Sequence, residues 1–257
     1  MIKKRLIVVL LAFNCVLSLF AGAFSESKRF NADSVSDIDI SLLFENLNVS
    51  VWSGNEIVVT FETNNKSMIP QIVLEAKSLK IKNSKYDYEK KFFCDVSLML
   101  PENYVAGKIT ISAPYKKLDI KKLNAKTVRL LPGPENSLAN IKADFFEIPI
   151  PDQADMNIIN LDCREFAISL VAGDLNLTLA HAPEKSSKAS VKHGSINLKI
   201  PETEKFTIKA KSNNSEFYNN FTGEKTDWLR DGTIYNHNGG GPEIQLQTFT
   251  GAIRVGE

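Results

Sequence analysis

Gly173-Asp174-Leu175-Asn176-Leu177 and Gly194-Ser195-Ile196-Asn197-Leu198 stand 21 residues apart and share one pattern: glycine, any residue, aliphatic, any residue, aliphatic. The same string occurs as Gly107-Lys108-Ile109-Thr110-Ile111 and as Gly251-Ala252-Ile253-Arg254-Val255. Successive side chains of a strand point to opposite faces, so the two aliphatics of each string face one core. Glycine ahead of them tolerates a positive φ and can start a strand at a tight corner. A repeat of ~20 residues with one short strand after each corner is the signature of stacked coils, each hiding its aliphatics against the next. The expected fold is therefore all-β, a β-solenoid-like stack of short strands, with a β-sandwich as the alternative.

Period-two alternation extends the same reading outward in both directions. It appears in Ile57, Val59 and Phe61, in Ile72, Leu74 and Ala76, in Val96, Leu98 and Leu100, in Phe166, Ile168 and Leu170, and in Ile244 and Leu246. Pro101, Pro149 and Pro201 follow strand-like runs, where a residue without an amide hydrogen ends a ladder. The strongest helical candidate, Leu138 to Phe146, lacks a sustained apolar stripe at helical spacing. Val96 to Glu102 and Ile196 to Glu202 echo one another, each ending a strand with proline and an acid.

The chain begins Met1-Ile2-Lys3-Lys4-Arg5, runs apolar from Leu6 to Phe20 and then reads Ala21-Gly22-Ala23. A basic start, an apolar middle and a small-x-small site, in that order, form a secretory signal, with the cut expected between Ala23 and Phe24. The apolar run is shorter than the ~20 residues of a membrane span. No later stretch is long and apolar enough to cross as a helix. The expected organisation is a signal peptide at 1–23, an N-terminal β-strand segment at 24–100 and a β-strand repeat region at 101–257, the last two forming either one domain or two. The expected setting is the periplasm, the outer surface or the extracellular space.

Lysine plus arginine total 31 against 30 aspartates plus glutamates, a balance that offers a polyanion no attractive field and argues against nucleic-acid binding. The segment Lys77 to Lys91 mixes lysines with Tyr86 and Tyr88, and reads as a solvated strand edge that uses lysine to discourage pairing. After removal of the signal, Cys94 and Cys163 remain, both in step with core positions. They form either a disulfide, as an exported pair can, or two buried thiols in separate layers.

These residues resemble the bacterial putative-adhesin family of β-strand repeat proteins. The resemblance rests on strands at Asn48 to Val51 and Glu56 to Phe61, a strand-loop-strand at Pro70 to Ile81, the Leu100-Pro101 strand end, the Gly-x-Leu-x-Leu strings, and the close on Gly239 to Thr248 and Gly251 to Val255. It implies a β-solenoid-like fold and a surface or envelope setting, and it carries over no site residues. The pattern departs from the family at Leu131 to Asp155, where Pro-Gly-Pro and Ile-Pro-Ile-Pro segments are expected to interrupt the repeat.

No set of residues reads as catalytic, metal-binding or cofactor-binding. His181, His193 and His237 sit in turn-like sequence, with no serine in a nucleophile-elbow context. Asp33, Asp37 and Asp39 lack the glycine turn and terminal glutamate of a calcium loop and read as a solvated segment. Asp144, Glu147, Asp152 and Asp155, near Lys142, are the acids a glycan-cleaving stacked-coil enzyme would use, against a plainer reading as charged loop edges. Trp228 and Tyr235 lie in the least regular stretch and are the residues for a partner contact, or else Trp228 and Leu229 cap the end of the stack. The expected function is a non-enzymatic, adhesin-like binding or scaffold role toward an unidentified protein or glycan partner. The alternatives are a glycan-cleaving enzyme and a structural or stress-related envelope component.

Overall fold

A computed structural model describes residues 23–83, 92–149, 154–213, 217–221, 224–226 and 232–257. The strands, in chain order, begin with β1 (Phe24–Asn31), β2 (Asp37–Leu42), β3 (Asn46–Trp52), β4 (Glu56–Thr63), β5 (Gln71–Glu75), β6 (Ser78–Asn83) and β7 (Cys94–Pro101). They continue with β8 (Ala106–Ala113), β9 (Leu118–Ile120), β10 (Leu123–Pro132), β11 (Asn136–Ile148), β12 (Met156–Ala172), β13 (Leu175–Leu179) and β14 (Ser187–His193). The last seven are β15 (Ile196–Lys199), β16 (Phe206–Ser212), β17 (Phe217–Asn219), β18 (Glu224–Thr226), β19 (Thr233–His237), β20 (Glu243–Thr250) and β21 (Ile253–Gly256). The described residues hold no α-helix, only short 3-10 turns at Ala32–Ser34 and Lys66–Met68. The expected all-β class is what the chain adopts.

All strands belong to one hydrogen-bonded, nearly closed sheet built from two ladders that merge at the long strands β11 and β12. One ladder runs β5–β6–β2–β8–β10–β11–β12–β14–β20–β16–β19. The other runs β1–β4–β7–β3–β9–β11–β12–β13–β15–β21–β17–β18. Interior pairings are parallel. Antiparallel pairs close the two ends: β1/β4, β4/β7 and β5/β6 at one, β16/β19 and β17/β18 at the other.

Burial follows the alternation. Leu175 and Leu177 lie in register with Ile196 and Leu198, which lie in register with Ile253 and Val255, and all six are buried. Each such side chain removed from water contributes about 1.5–3 kcal/mol. Parallel pairing is what keeps like positions above one another, so a short aliphatic pair in every strand suffices for a continuous core.

The glycine corners are tighter than the sequence implies. Gly173, Gly194 and Gly251 have φ of +115°, +144° and +117°, and a Cβ on each would lie 2.3, 2.0 and 2.2 Å from the carbonyl oxygens of Ala154, Gly173 and Gly194. The corners therefore stack directly on one another, and the Gly173 and Gly194 amides donate to His193 and Thr250 carbonyls. Gly107 differs. Its φ is not in the left-handed region, and a Cβ there would lie 2.8 Å from the Asp37 carboxylate.

Several expectations change. The sequence places an interruption at Leu131 to Asp155, but β11 continues the parallel ladder between β10 and β12. Pro132 ends β10, and Gly133 forms a corner pressed against Pro114. Residues 150–153 lie outside the described set. Strands β3 and β4 do not pair with each other, since β7 stands between them. The order of strands in space also leaves chain order at both ends. The β2–β3 step sits inside β6 and β7, and β20–β21 sits between β14–β15 and β16–β17. A simple coil-after-coil stack does not have these insertions, and two facing ladders fit the sandwich alternative as well.

Candidate functional site

Among the described residues, β1 and β5 are the two strands at the amino-terminal end that pair on one side only, β1 with β4 and β5 with β6. Each leaves a row of main-chain donors and acceptors unpaired by strand. Between them opens a cleft of about 1600 Å³, lined by Ser25 to Asn31 along β1 and by Ile72, Val73 and Leu74 of β5. Lys28 crosses it, donating from Nζ to the Ile72 carbonyl at 3.2 Å, with Glu26 3.6 Å from the same ammonium.

The cleft has an apolar side and a polar side. Phe30, Phe61 and Ile72 turn toward the core, while Val73 and Leu74 remain 42% and 37% exposed. The polar side is a straight cross-strand row, Ser27–Thr60–Ser97–Asn48–Asp119, set by the registers of β1, β4, β7, β3 and β9. Asn48 Oδ1 in this row is buried and has no hydrogen-bond partner. The alternation Ile72, Leu74, Ala76 overstates the buried face of β5, because Leu74 is exposed and Ala76 belongs to the β5–β6 turn.

A buried polar cluster gathers where β6 ends and β7 begins. Glu45, 1% exposed, accepts from the Phe44 amide and from Asn83, whose amide also reaches the Met68 carbonyl. Burial raises the Glu45 carboxyl above its ordinary value, against the pull of those donors. Cys94 adjoins the cluster with its Sγ 3.6 Å from the same Met68 carbonyl. Cys94 and Cys163 are free and buried, on β7 and β12, which lie in one ladder with β3, β9 and β11 between them. Burial pushes both thiols up to about 12. The step from Ile159 to Cys163 is not a simple alternation: Asn160 has a φ of +58°, and Ile159 is 48% exposed.

The acids picked from sequence do not converge. Glu147 pairs with Arg129 at 3.4 Å, and Asp155 Oδ1 accepts the Asp174 amide at the Gly173 corner. Lys142 pairs with Asp162, Asp144 is exposed on β11, and Asp152 lies outside the described residues. Asp37 and Asp39 belong to β2, not to a solvated segment: Asp37 accepts the Lys108 amide and Asp39 pairs with Lys82. Lys80 pairs with Glu75, and β6, flanked by β5 and β2, is no edge. Tyr86 and Tyr88 lie outside the described residues.

His237 is not a turn residue without a role. It is buried in β19, stacks on Phe206 at 4.8 Å and lies 4.4 Å from Phe221, with its ring nitrogens on Tyr235 Oη and the Glu202 carbonyl. Tyr235 is thereby tied into the core, and Trp228 lies outside the described residues. His181 meets Glu204 at 3.2 Å, and His193 ends β14 beside Thr250. Among the described residues no group of three or more His, Cys, Asp or Glu side chains is placed to hold a metal ion, and no helix is long and apolar enough to cross a membrane.

No protein-family model matches the chain, and no curated protein does. Solved structures do. A putative cell adhesion protein from Clostridium sporogenes is 13% identical over 91% of this chain and 99% of its own, with a TM-score of 0.39. A putative adhesin from Bacteroides fragilis is 13% identical over 90% and 97%, with a TM-score of 0.42. The chain resembles the putative adhesins. A putative lipid binding protein from Parabacteroides distasonis is similar to the same degree, 15% identical over 90% and 96%, with a TM-score of 0.43.

Proposed function

We propose that this chain is exported and acts as a non-enzymatic, adhesin-like binding protein of the cell envelope or surface, with the β1–β5 cleft receiving a protein or glycan partner. The cleft carries this reading: it is large and open, pairs an apolar side with a polar row, and is held by strands anchored in a continuous core. The basic start, apolar middle and small-x-small site within residues 1–23 support export, and β1 begins at Phe24, just after the expected cut. The architecture fits a flattened stack of coils whose rungs lie twenty or so residues apart in sequence from β8 to β15, closed at both ends by antiparallel strands.

Amino-terminal sequencing of the protein from fractionated cells tests export, with Phe24 as the expected first residue and the envelope or medium as the source. Purified protein titrated with envelope polysaccharides, peptides and fatty acids tests the cleft. The expected result is saturable binding that Ser27→Trp together with Leu74→Arg abolishes without loss of fold. Reproducible glycan cleavage lost on Asp144→Asn or Asp155→Asn would replace this reading with the enzyme alternative.

A further inference from the structure

Resting on the reading of the cleft as a binding surface, we infer that its occupant is an extended polypeptide, which adds as a strand between β1 and β5 and completes the sheet.

The main chain of β5 shows which groups are on offer. In an antiparallel ladder the amide and carbonyl of one residue turn the same way, and the sense alternates along the strand. Ile72, opposite Ile81 of β6, gives its carbonyl to Lys28 across the cleft. Its amide therefore faces the cleft too, and so do the amide and carbonyl of Leu74, while Val73 turns to β6. β1 likewise turns alternate residues away from β4.

The width suits one strand. A lysine side chain and one hydrogen bond span the gap, and a single missing strand leaves its neighbours ~9.6 Å apart, twice the ordinary spacing. The chemistry selects the same guest. Only a polypeptide presents donors and acceptors on both edges at strand spacing, which an acyl chain or a sugar leaves unmet. Alternate side chains of the guest would meet Phe30, Phe61 and Ile72 on the core side.

Lys28 guards this edge. An inward-pointing charge is a means of guarding a sheet edge, and here the ammonium occupies the Ile72 carbonyl that a guest strand would take. Binding must displace it, so removing the ammonium is expected to strengthen binding.

The test uses the purified full chain and a library of acetylated, amidated octapeptides with Val, Ile, Leu or Phe at alternate positions and Thr or Ser between. The expected result is saturable binding of the best octapeptide, a loss of at least tenfold when its alternate amides are N-methylated, and slowed hydrogen exchange at Leu74. Leu74→Pro deletes a cleft-facing amide and should lose at least tenfold in affinity with an unchanged urea midpoint, whereas Lys28→Ala should gain severalfold. Equal binding of the methylated peptide, or slow exchange at Leu74 before any peptide is added, overturns strand addition. Binding of a fatty acid or oligosaccharide in place of every peptide overturns it while sparing the cleft as a site. Failure of all three probes overturns both.

Discussion

Asn160 donates its side-chain amide to the side-chain oxygen of Asn140 across 2.7 Å, twenty residues earlier in the chain. Asn140 in turn donates to the Lys121 carbonyl at 2.9 Å, and the two asparagines have φ of +52° and +58°. Asparagine is among the few residues that enter the left-handed region readily. Asn160→Ala loses both the bond and the backbone preference and should cost about 2 kcal/mol in urea unfolding, while Asn160→Gly, which keeps the backbone, should cost less than half of that.

The stacked glycines allow a sharper contrast. A Cβ at Gly194 would lie 2.0 Å from the Gly173 carbonyl oxygen, whereas one at Gly239, with a φ of +89°, meets nothing within 4 Å. Gly194→Ala should destabilise by more than about 3 kcal/mol, at the far end of what single substitutions do, and Gly239→Ala by only about 1 kcal/mol. Thermal melts of the two variants give the comparison directly.

The β5–β6 turn goes the other way. Ala76 and Lys77 have φ of +47° and +68°, the geometry of a two-residue hairpin turn, without the residues that favour it. Ala76→Asn with Lys77→Gly should raise stability by about 1 kcal/mol in urea unfolding. An unchanged or lowered midpoint would mean that the turn is held by something other than its own conformation.

Glu45 gives the chain a pH response. Its carboxyl is raised above 4.5 in the folded state, so between those two values the folded chain holds more protons than the unfolded one. The contribution of Glu45 to stability is thus greatest below about 4.5 and is lost as pH rises through the folded value. Urea midpoints of the wild type, referred to Glu45→Gln at each pH from 4 to 7, should fall as pH rises. A flat difference would place the carboxyl in water.

Cys94 and Cys163 should be silent in the native protein. With both thiols pushed up to about 12 by burial, alkylation at pH 8 should be negligible, and both should react once urea unfolds the chain. Mass spectrometry counts the adducts, and a single linked pair that resists alkylation after unfolding would show a disulfide instead.

The residues that form the core were legible wherever strands stack in parallel, because Leu175, Leu177, Ile196 and Leu198 carry the same alternation to the same wall. Corners were legible only where glycine marks them. Asn140 and Asn160 mark another column of corners at a spacing of twenty, and that spacing was the signal to look for. The cleft was not legible, since it depends on which strands lack a neighbour. Nothing in the local sequence of β1 says that it pairs with β4 alone, or that the nearest strand across the gap is β5. The acids near Asp155 misled for a related reason: closeness along the chain places them on different faces and different turns.

The position of β20 and β21 fixes a time as well as a place. Amides of Gly194, Ile196 and Ile200 on one side and of Asn220 on the other all donate to carbonyls between Thr250 and Gly256. A chain emerging amino end first from a ribosome therefore has β16 and β17 waiting beside a vacant berth until residues 243–256 have followed. Only then can β14 and β15 be joined to β16 and β17, so this part of the sheet zips shut late and in one step.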